Sequence, residues 1–206
     1  MSTRPLLLTA EVARLAVGVL LLAVGGLAAI APGVSAVEER VFRAVNGWPA
    51  GLEPTLVVLM MFGSLYGVLL ASAMAAAAQR VSLALDLMVT GALAWLLTNY
   101  LLKPLVARGR PIDLIVDALI RGGSAGGFGY PSGHATVAAG LAAAASVHLS
   151  RRWRWLVWAL AATIALARLY VGAHLPADII GGFGVGLVAA ATWRLIRRPA
   201  QAAAPG

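Results

Sequence analysis

Six long apolar stretches in the sequence restrict the chain to folds that sit in a lipid bilayer. At about 1.5 Å of rise per helical residue, roughly 20 apolar residues cross the hydrocarbon core, and 61% of the 206 residues are hydrophobic. The stretches of about this length are Val12–Ile30, Thr55–Ala78, Leu83–Leu102, Ser132–Leu149, Trp153–Val171 and Ala177–Ile196. The sequence therefore predicts an all-α polytopic membrane protein, a bundle of six transmembrane helices in a single domain over residues 1–198, with a disordered tail over residues 199–206.

The first apolar stretch has an alternative interpretation as a cleaved signal peptide. Glu11 and Arg14 lie at its start, and no clear small-residue cleavage site precedes a polar mature domain, which is untypical of secretory signals. We therefore interpret this stretch as the first membrane span.

The basic residues of the loops predict an orientation for this bundle. In a six-span arrangement, the following arginines fall on one side: Arg80, Arg151, Arg152, Arg154, Arg194, Arg197 and Arg198. Loops rich in Lys and Arg face the cytoplasm, so we expect both termini to be cytoplasmic and the loop between spans three and four to be extracytoplasmic. The formal net charge of +8 does not indicate nucleic-acid binding, because no basic cluster is interleaved with aromatic residues in a polar context.

Two shorter features concern packing. Residues Ser35–Trp48 carry apolar residues at roughly helical spacing among charged ones, which favours a short interfacial helix, although a plain surface connector is an equally good interpretation. Gly182 and Gly186 in span six form a small-residue pair of the kind that lets two helices approach closely.

Three polar segments are expected to meet at one face of the membrane. The one long polar loop, Lys103–Tyr130, begins where span three ends and contains the glycine run Gly122–Gly129. Because spans three and five end on the side where span four begins, the segments Lys103–Pro111, Pro131–His134 and Arg168–Asp178 should lie at the same depth. Ionisable groups so close to apolar spans are costly unless they are paired or functional, so each segment is a candidate site.

Three cations in these segments predict an anion between them. Lys103, Arg110 and Arg168 would repel one another in a dry pocket, whereas phosphate oxygens match the Arg fork and the Lys point charge. Cations positioned in this way also stabilise charge that develops during phosphate transfer. For Arg108 and Arg121 we expect instead that the side chains extend to lipid headgroups.

The segment Pro131–His134 places backbone N–H groups at the start of an apolar helix. Such a helix N-terminus binds anions. Ser132 can cap the helix or donate to phosphate, and Gly133 permits close approach of the backbone. Capping alone would explain these two residues, but it does not explain His134, which is a candidate proton carrier.

His174 and Asp178 have the spacing of one helical turn. A carboxylate beside an imidazole fixes its tautomer and supports it as a nucleophile, although the two groups could also form a purely structural pair. His148 lies at the opposite end of span four and receives no role. Metal binding is disfavoured because three cations crowd the same space, with Asp113 and Asp117 as the remaining candidate ligands.

Together the three segments resemble the signatures of the type 2 phosphatidic acid phosphatase family of membrane lipid phosphatases. They read KPLVARGRP over Lys103–Pro111, PSGH over Pro131–His134 and ARLYVGAHLPAD over Ala167–Asp178. Their order and spacing agree with the family, and the resemblance covers about residues 50–196. One departure is Ala167, where the family usually has Ser, so a hydroxyl contact contributing about 0.5–1.5 kcal/mol would be lost.

The resemblance implies a reaction at His174. In it His174 attacks phosphorus, Asp178 orients His174, and His134 protonates the leaving oxygen. The implied phosphate-binding residues are Lys103, Arg110, Ser132, Gly133 and Arg168. No metal or other cofactor is implied, the partners are the lipid substrate and membrane lipids, and no oligomeric state is specified.

Several substrates remain open within this interpretation. By analogy alone, a polyprenyl diphosphate or polyprenyl-linked phosphate is favoured over phosphatidic acid or phosphatidylglycerol phosphate. A phosphotransferase would use the same histidine with an acceptor hydroxyl in place of water. A non-catalytic protein that binds anionic lipids is the alternative from a different class, and it would not need His174, His134 and Asp178 together.

Overall fold

The computed structural model describes residues 4–122 and 126–203, with side chains for residues 8–122 and 126–197. Every regular element among these residues is helical, which confirms the all-α prediction. The α-helices are α1 (Arg4–Ile30), α2 (Ala36–Asn46), α3 (Glu53–Met60), α4 (Leu65–Ala77), α5 (Val81–Leu96), α6 (Lys103–Val106), α7 (Pro111–Leu114), α8 (Gly133–Ser146), α9 (Arg151–Tyr170) and α10 (Pro176–Ala203). A π-helical segment, Leu97–Leu102, joins α5 to α6, and short 3-10 turns lie at Ala50–Leu52 and Met61–Gly63.

Three helical stretches are long and apolar enough to cross a membrane: Leu8–Ile30, Val81–Leu114 and Pro176–Arg197. Helices α3 and α4 would together make a fourth, but they are bent by 67°. Helix α8 has only 14 residues, and α9 has arginines near both ends, which lowers the mean hydropathy of any span-length window. The six-span count therefore stays a prediction, whereas the membrane-spanning character of the bundle is confirmed.

The second predicted span is not one straight helix. It breaks at Met61–Gly63, where Gly63 precedes Ser64, a pairing at which helices commonly kink. A Cβ at Gly63 would lie 2.8 Å from the carbonyl oxygen of His134. The break therefore lets the chain pass close to the start of α8.

The predicted small-residue pair in span six holds α10 against α8. A Cβ would lie 2.8 Å from the carbonyl oxygen of Ser132 at Gly182, and 2.5 Å from that of Thr136 at Gly186. Any larger residue would separate the two backbones. This contact positions the start of α10 beside the start of α8.

At its other end α10 continues to Ala203, where a disordered tail was expected, and residues 204–206 lie outside the described residues.

The predicted interfacial helix forms as α2, with Ser35 accepting a hydrogen bond from the N–H of Glu38 at 3.2 Å. Asn46 at its end is buried, and its Nδ2 donates to the carbonyl oxygens of Leu119 and Tyr170, both at 2.9 Å. The helix is thus part of the tertiary structure and not a plain connector.

The expectation for Arg121 is wrong. Its Nη1 donates to the carbonyl oxygens of Asn46 and Tyr170, both at 2.7 Å, and its guanidinium lies 4.3 Å from the centre of the Tyr170 ring. The side chain therefore ties the long loop to α2 and α9 instead of reaching a lipid headgroup.

Candidate functional site

The three polar segments meet around one cavity of about 190 Å³. Its lining residues are Gly63, Ser64, Leu65, Trp95, Asn99, Lys103, Arg110, Gly133, His134, Arg168 and His174. Six of the eight residues predicted for the site are therefore on its wall. The other two, Ser132 and Asp178, are fully buried. Asp178 contacts His174 of the lining, and Ser132 directly precedes Gly133 of the lining. Ser64, Trp95 and Asn99 lie outside the three motifs, and nothing in the sequence marked them as site residues.

His174 lies in the turn between α9 and α10, with only 2% of its surface exposed. Its Nδ1 is 3.4 Å from Oδ2 of Asp178. This contact is long, but it means that Nδ1 is the ring nitrogen that faces the carboxylate. With the proton assigned to Nδ1, the other ring nitrogen, Nε2, keeps its lone pair. Burial lowers the pKa of His174 to about 4, aided by Arg168 and Arg110 and opposed by Asp178. The imidazole is therefore neutral at pH 7, as a nucleophile must be.

Asp178 is held by several groups besides His174. Its Oδ2 accepts a hydrogen bond from the N–H of Leu175 at 2.8 Å, and its Oδ1 accepts one from Arg108 at 3.0 Å. The residue lies in the first turn of α10, where the helix dipole favours a negative charge. Asp178 thus keeps one orientation and can in turn orient His174.

The expectation that Arg108 reaches lipid headgroups is wrong. Its guanidinium is buried and donates to both carboxylate oxygens of Glu38, at 3.1 and 2.8 Å, as well as to Asp178. Glu38 also accepts a hydrogen bond from the N–H of Ala177 at 2.9 Å. The result is a buried chain of charges, Glu38–Arg108–Asp178, that ends at the carboxylate beside His174.

Glu38 is a site residue that the sequence-based reasoning missed. One signal was present: Glu38 precedes Phe42 and Val45 by four and seven residues, and all three are buried on one face of α2. A carboxylate on the apolar face of a short helix needs a buried partner, and Arg108, 70 positions away, is that partner.

Three cations line the cavity: Lys103, Arg110 and Arg168. Arg110 donates to the carbonyl oxygens of Gly127 and Ala173, at 2.9 and 3.0 Å. Arg168 contacts the sulfur of Met60 at 3.3 Å, and its Nε is buried without a partner. No ion pair joins Lys103, Arg110 or Arg168 to an acidic residue within the described chain. A multiply charged anion in the cavity would satisfy all three.

The start of α8 adds neutral donors to the same cavity. The N–H of Ser132 donates to the carbonyl oxygen of Asp178 at 3.0 Å, which fixes this turn against α10. The Ser132 hydroxyl is fully buried and has no hydrogen-bond partner. Gly133 and His134 follow directly and line the cavity. A buried hydroxyl without a partner and the N–H groups of the first helical turn can donate hydrogen bonds to anionic oxygens.

The remaining predicted positions lie elsewhere. Asp113 accepts a hydrogen bond from the N–H of Arg110 at 2.9 Å, so it caps α7. Within the described ranges, no three His, Asp or Glu side chains are grouped closely enough to hold a metal ion. Ala167 is fully buried in an apolar cluster with Met60 and Tyr170 and does not line the cavity. His148 pairs with Asp86 at 2.7 Å, at the far end of α8.

Comparison with known proteins identifies a matching family. A model described as the PAP2 superfamily matches residues 81–201, which confirms the resemblance carried by the three motifs.

Two similar proteins are lipid A 4'-phosphatases. That of Bacteroides thetaiotaomicron is 40% identical over 101 residues, covering 42% of this chain and 43% of the relative. That of Porphyromonas gingivalis is 33% identical over 99 residues, covering 45% and 41%. An undecaprenyl-diphosphatase of Sulfolobus acidocaldarius is 29% identical over 85 residues, covering 41% of each chain. The matches thus span less than half the length of these relatives.

Two solved structures share the fold. A PAP2-type phosphatidylglycerolphosphate phosphatase from Bacillus subtilis has a TM-score of 0.72 at 20% identity, over 93% of this chain and 98% of that one. LpxE from Aquifex aeolicus has a TM-score of 0.67 at 21% identity, over 76% and 93%. At such identities the likeness concerns the fold alone.

Proposed function

Because the chain belongs to the PAP2 superfamily, we propose that it is an integral membrane lipid phosphatase that works through a phosphohistidine at His174. The observation that carries this proposal is the single cavity in which a buried, neutral His174, backed by Asp178, faces three cations that have no acidic partner. A protein that only binds anionic lipids would need the cations but not the histidine and aspartate.

The phosphate is held by Lys103, Arg110 and Arg168, together with the hydroxyl of Ser132 and the first N–H groups of α8. Binding would give partners to the Ser132 hydroxyl and to Nε of Arg168, which are buried without any. A buried polar group without a partner costs about 1–3 kcal/mol. Phosphate binding removes that cost.

The first step transfers the phosphoryl group to the protein. Nε2 of His174 donates its lone pair to phosphorus, and the bond from phosphorus to the lipid oxygen breaks. His134 gives its proton to that oxygen, since a bound phosphate dianion favours the protonated form of a neighbouring imidazole. Asp178 stabilises the positive charge that forms on the His174 ring.

The second step regenerates the free enzyme. Water attacks the phosphohistidine, and His134 accepts the proton from that water. The bond between nitrogen and phosphorus then breaks and inorganic phosphate leaves. If a lipid hydroxyl took the place of water, the same steps would make the protein a phosphotransferase.

For the substrate we propose a lipid phosphomonoester or diphosphate. The sequence-based preference for a polyprenyl diphosphate has support from the relative named undecaprenyl-diphosphatase. The two relatives named lipid A 4'-phosphatases support a phosphorylated glycolipid as a second candidate. Phosphatidic acid and phosphatidylglycerol phosphate complete the panel to be tested.

For the orientation we propose that both termini are cytoplasmic and that the cavity opens on the extracytoplasmic side. The charge distribution of the loops supports this arrangement. Labelling of single cysteines introduced at Gln79 and Ile112, in a chain with no native cysteine, tests it in intact cells. An impermeant maleimide should label Ile112→Cys only, and the reverse pattern contradicts the orientation.

The deciding experiment compares two histidine substitutions. Purified wild type, His174→Gln and His148→Gln are assayed in detergent with EDTA for phosphate release from the four lipids. Glutamine keeps a hydrogen-bonding amide at each position, so the two variants differ mainly in which end of the bundle loses an imidazole. We expect release by wild type and His148→Gln and only background release by His174→Gln.

A labelled intermediate provides the second readout. A short incubation with a 32P-labelled substrate should leave base-stable, acid-labile label on wild type and none on His174→Gln. Phosphate release by His174→Gln at the wild-type rate contradicts the proposal. Loss of wild-type activity in EDTA contradicts the metal-free mechanism.

A further inference from the structure

The cavity lined by Lys103, Arg110, Arg168 and His174 is called the phosphate cavity below. A second basic cavity lies at the opposite end of the bundle. It has a volume of about 330 Å³ and is lined by Arg14, Ser146, Arg151, Arg154, Trp155 and Trp158. Helix α9 runs from Arg151, at this cavity, to Arg168, at the other. At about 1.5 Å per residue, the two cavities are separated by ~25 Å, close to the thickness of the hydrocarbon core. They therefore belong to opposite membrane interfaces.

The cations of this cavity have few protein partners. Arg14 pairs with Glu11 at 2.6 Å. Nε of Arg154 donates to the carbonyl oxygen of Leu149 at 2.9 Å, and no carboxylate forms an ion pair with Arg151 or Arg154 within the described chain. No acidic residue is on the cavity wall. The wall thus carries a positive charge that an anion of the surroundings would balance.

The aromatic residues set the depth of the cavity and its polarity. Nε1 of Trp158 donates to the hydroxyl of Ser146 at 3.1 Å, which closes the inner end. Trp155 is 67% exposed, and α9 carries it about one turn further into the bilayer than Arg151. Tryptophan is enriched at the membrane interface, with its ring against acyl chains and its N–H near polar groups. The cavity therefore offers cations at headgroup depth and an apolar indole directly below.

We propose that this cavity binds the headgroup phosphate of an anionic phospholipid from the leaflet opposite the phosphate cavity. Arg151 and Arg154 contact the phosphate oxygens, Arg14 contributes positive charge from α1, and the Trp155 ring lies along the upper part of an acyl chain. Basic pockets between transmembrane helices bind anionic lipid headgroups in this manner. Such a lipid would bridge α1 and α9. The inference is independent of the phosphatase activity.

The test compares two double substitutions that remove equal charge from the same end of the bundle. Arg151→Gln/Arg154→Gln removes two cations from the cavity wall. Arg80→Gln/Arg152→Gln is the matched control, because Arg80 binds the carbonyl oxygen of His148 and Arg152 stacks on Trp153, both outside the cavity. Each protein, in neutral detergent, is titrated with phosphatidylglycerol and with phosphatidylcholine, and bound lipid is counted by native mass spectrometry.

We expect wild type and the control variant to bind phosphatidylglycerol at least tenfold more tightly than phosphatidylcholine. In the cavity variant this preference should fall by about tenfold, as expected for the loss of charge-assisted hydrogen bonds. Binding at the phosphate cavity contributes equally to all three proteins. Equal loss in both variants would mean general charge attraction and would overturn the proposal.

A charge-preserving variant covers the case in which the cavity variant does not fold. Arg151→Lys/Arg154→Lys keeps the charge but not the bidentate fork, so its preference for phosphatidylglycerol should be lower than that of wild type, and an unchanged preference would overturn the proposal. Wild type that binds both lipids equally also overturns the proposal, without any variant.

Discussion

Replacing Glu38 by Gln removes the charge that holds Arg108 beside Asp178. In the native protein the Arg108 guanidinium donates to both Glu38 oxygens, at 3.1 and 2.8 Å, and Glu38 is only 8% exposed. Glutamine offers one neutral carbonyl in place of two charged oxygens, and its NH₂ group faces other donors. Because a hydrogen bond to a charged group contributes about 1.5–3 kcal/mol, we expect the free energy of unfolding to fall by about that amount.

The same substitution should reduce catalysis from a distance. Glu38 does not line the phosphate cavity, but Arg108 loses its fixed position and with it the restraint on Asp178. Small misplacements of catalytic groups cost up to about 100-fold in rate. We therefore expect kcat to fall by between 10- and 100-fold while KM changes little, since no phosphate-binding cation is altered.

Glu39→Gln is the matched control for this prediction. Glu39 is the next residue of α2, is 39% exposed on its side chain, and pairs with Arg43 at 2.8 Å on the surface. Exposed ion pairs contribute about 0–1 kcal/mol. Both variants are unfolded chemically in mixed micelles and assayed for phosphate release. If Glu38→Gln matches Glu39→Gln in stability and in kcat, the buried chain of charges has no role in positioning Asp178.

Three further predictions concern the role of Asp178, the titration of His174 and the contact between α8 and α10. Asp178→Asn should lower kcat by about 10²–10⁴-fold, measured as phosphate release, because the amide cannot stabilise the charged ring of His174; wild-type kcat in this variant contradicts the assigned role. Because burial lowers the pKa of His174 to about 4, the ring loses its proton at a lower pH than free histidine, so protonation of the nucleophile should not reduce kcat/KM until the pH approaches 4; an NMR titration of the His174 ring in the wild type with a midpoint near the ordinary value of about 6.5 contradicts this. Gly186→Ala places a Cβ 2.5 Å from a backbone oxygen of α8 and should destabilise the protein by about 1–3 kcal/mol, whereas Gly51→Ala, with nothing within 4 Å of the added Cβ, should leave the midpoint of thermal unfolding unchanged.

Much of the candidate site could be predicted from the sequence because its parts are local. The 20-residue apolar lengths and the positions of the polar segments at their ends follow from chain spacing alone. These two properties placed Lys103, Arg110 and Arg168 at one membrane face, and the structure brings all three to one cavity. The one-turn spacing of His174 and Asp178 likewise predicted a contact that the structure contains.

Other features depended on packing. Arg108 and Arg110 are two residues apart in one motif, yet one is bound in a buried ion chain and the other lines the cavity. The sequence assigned Arg110 to phosphate and Arg108 to lipid headgroups, and nothing in it indicated the buried carboxylates that bind Arg108. Ala107 adopts a left-handed conformation that ends α6, and in the segment that follows the two arginines contact different neighbours.

By itself the sequence determined the helical class, the membrane setting and the family, and it predicted most of the polar residues that the structure brings to the candidate site. Each of these rests on the order of residue types along a short stretch, which the helical period and the bilayer thickness translate directly into space. Only the tertiary structure decided that the second predicted span is bent near Gly63 and that Glu38 holds Arg108 across 70 positions of chain. Such pairings depend on which helix faces pack together, and the free energy of that packing belongs to the whole bundle and not to any one segment.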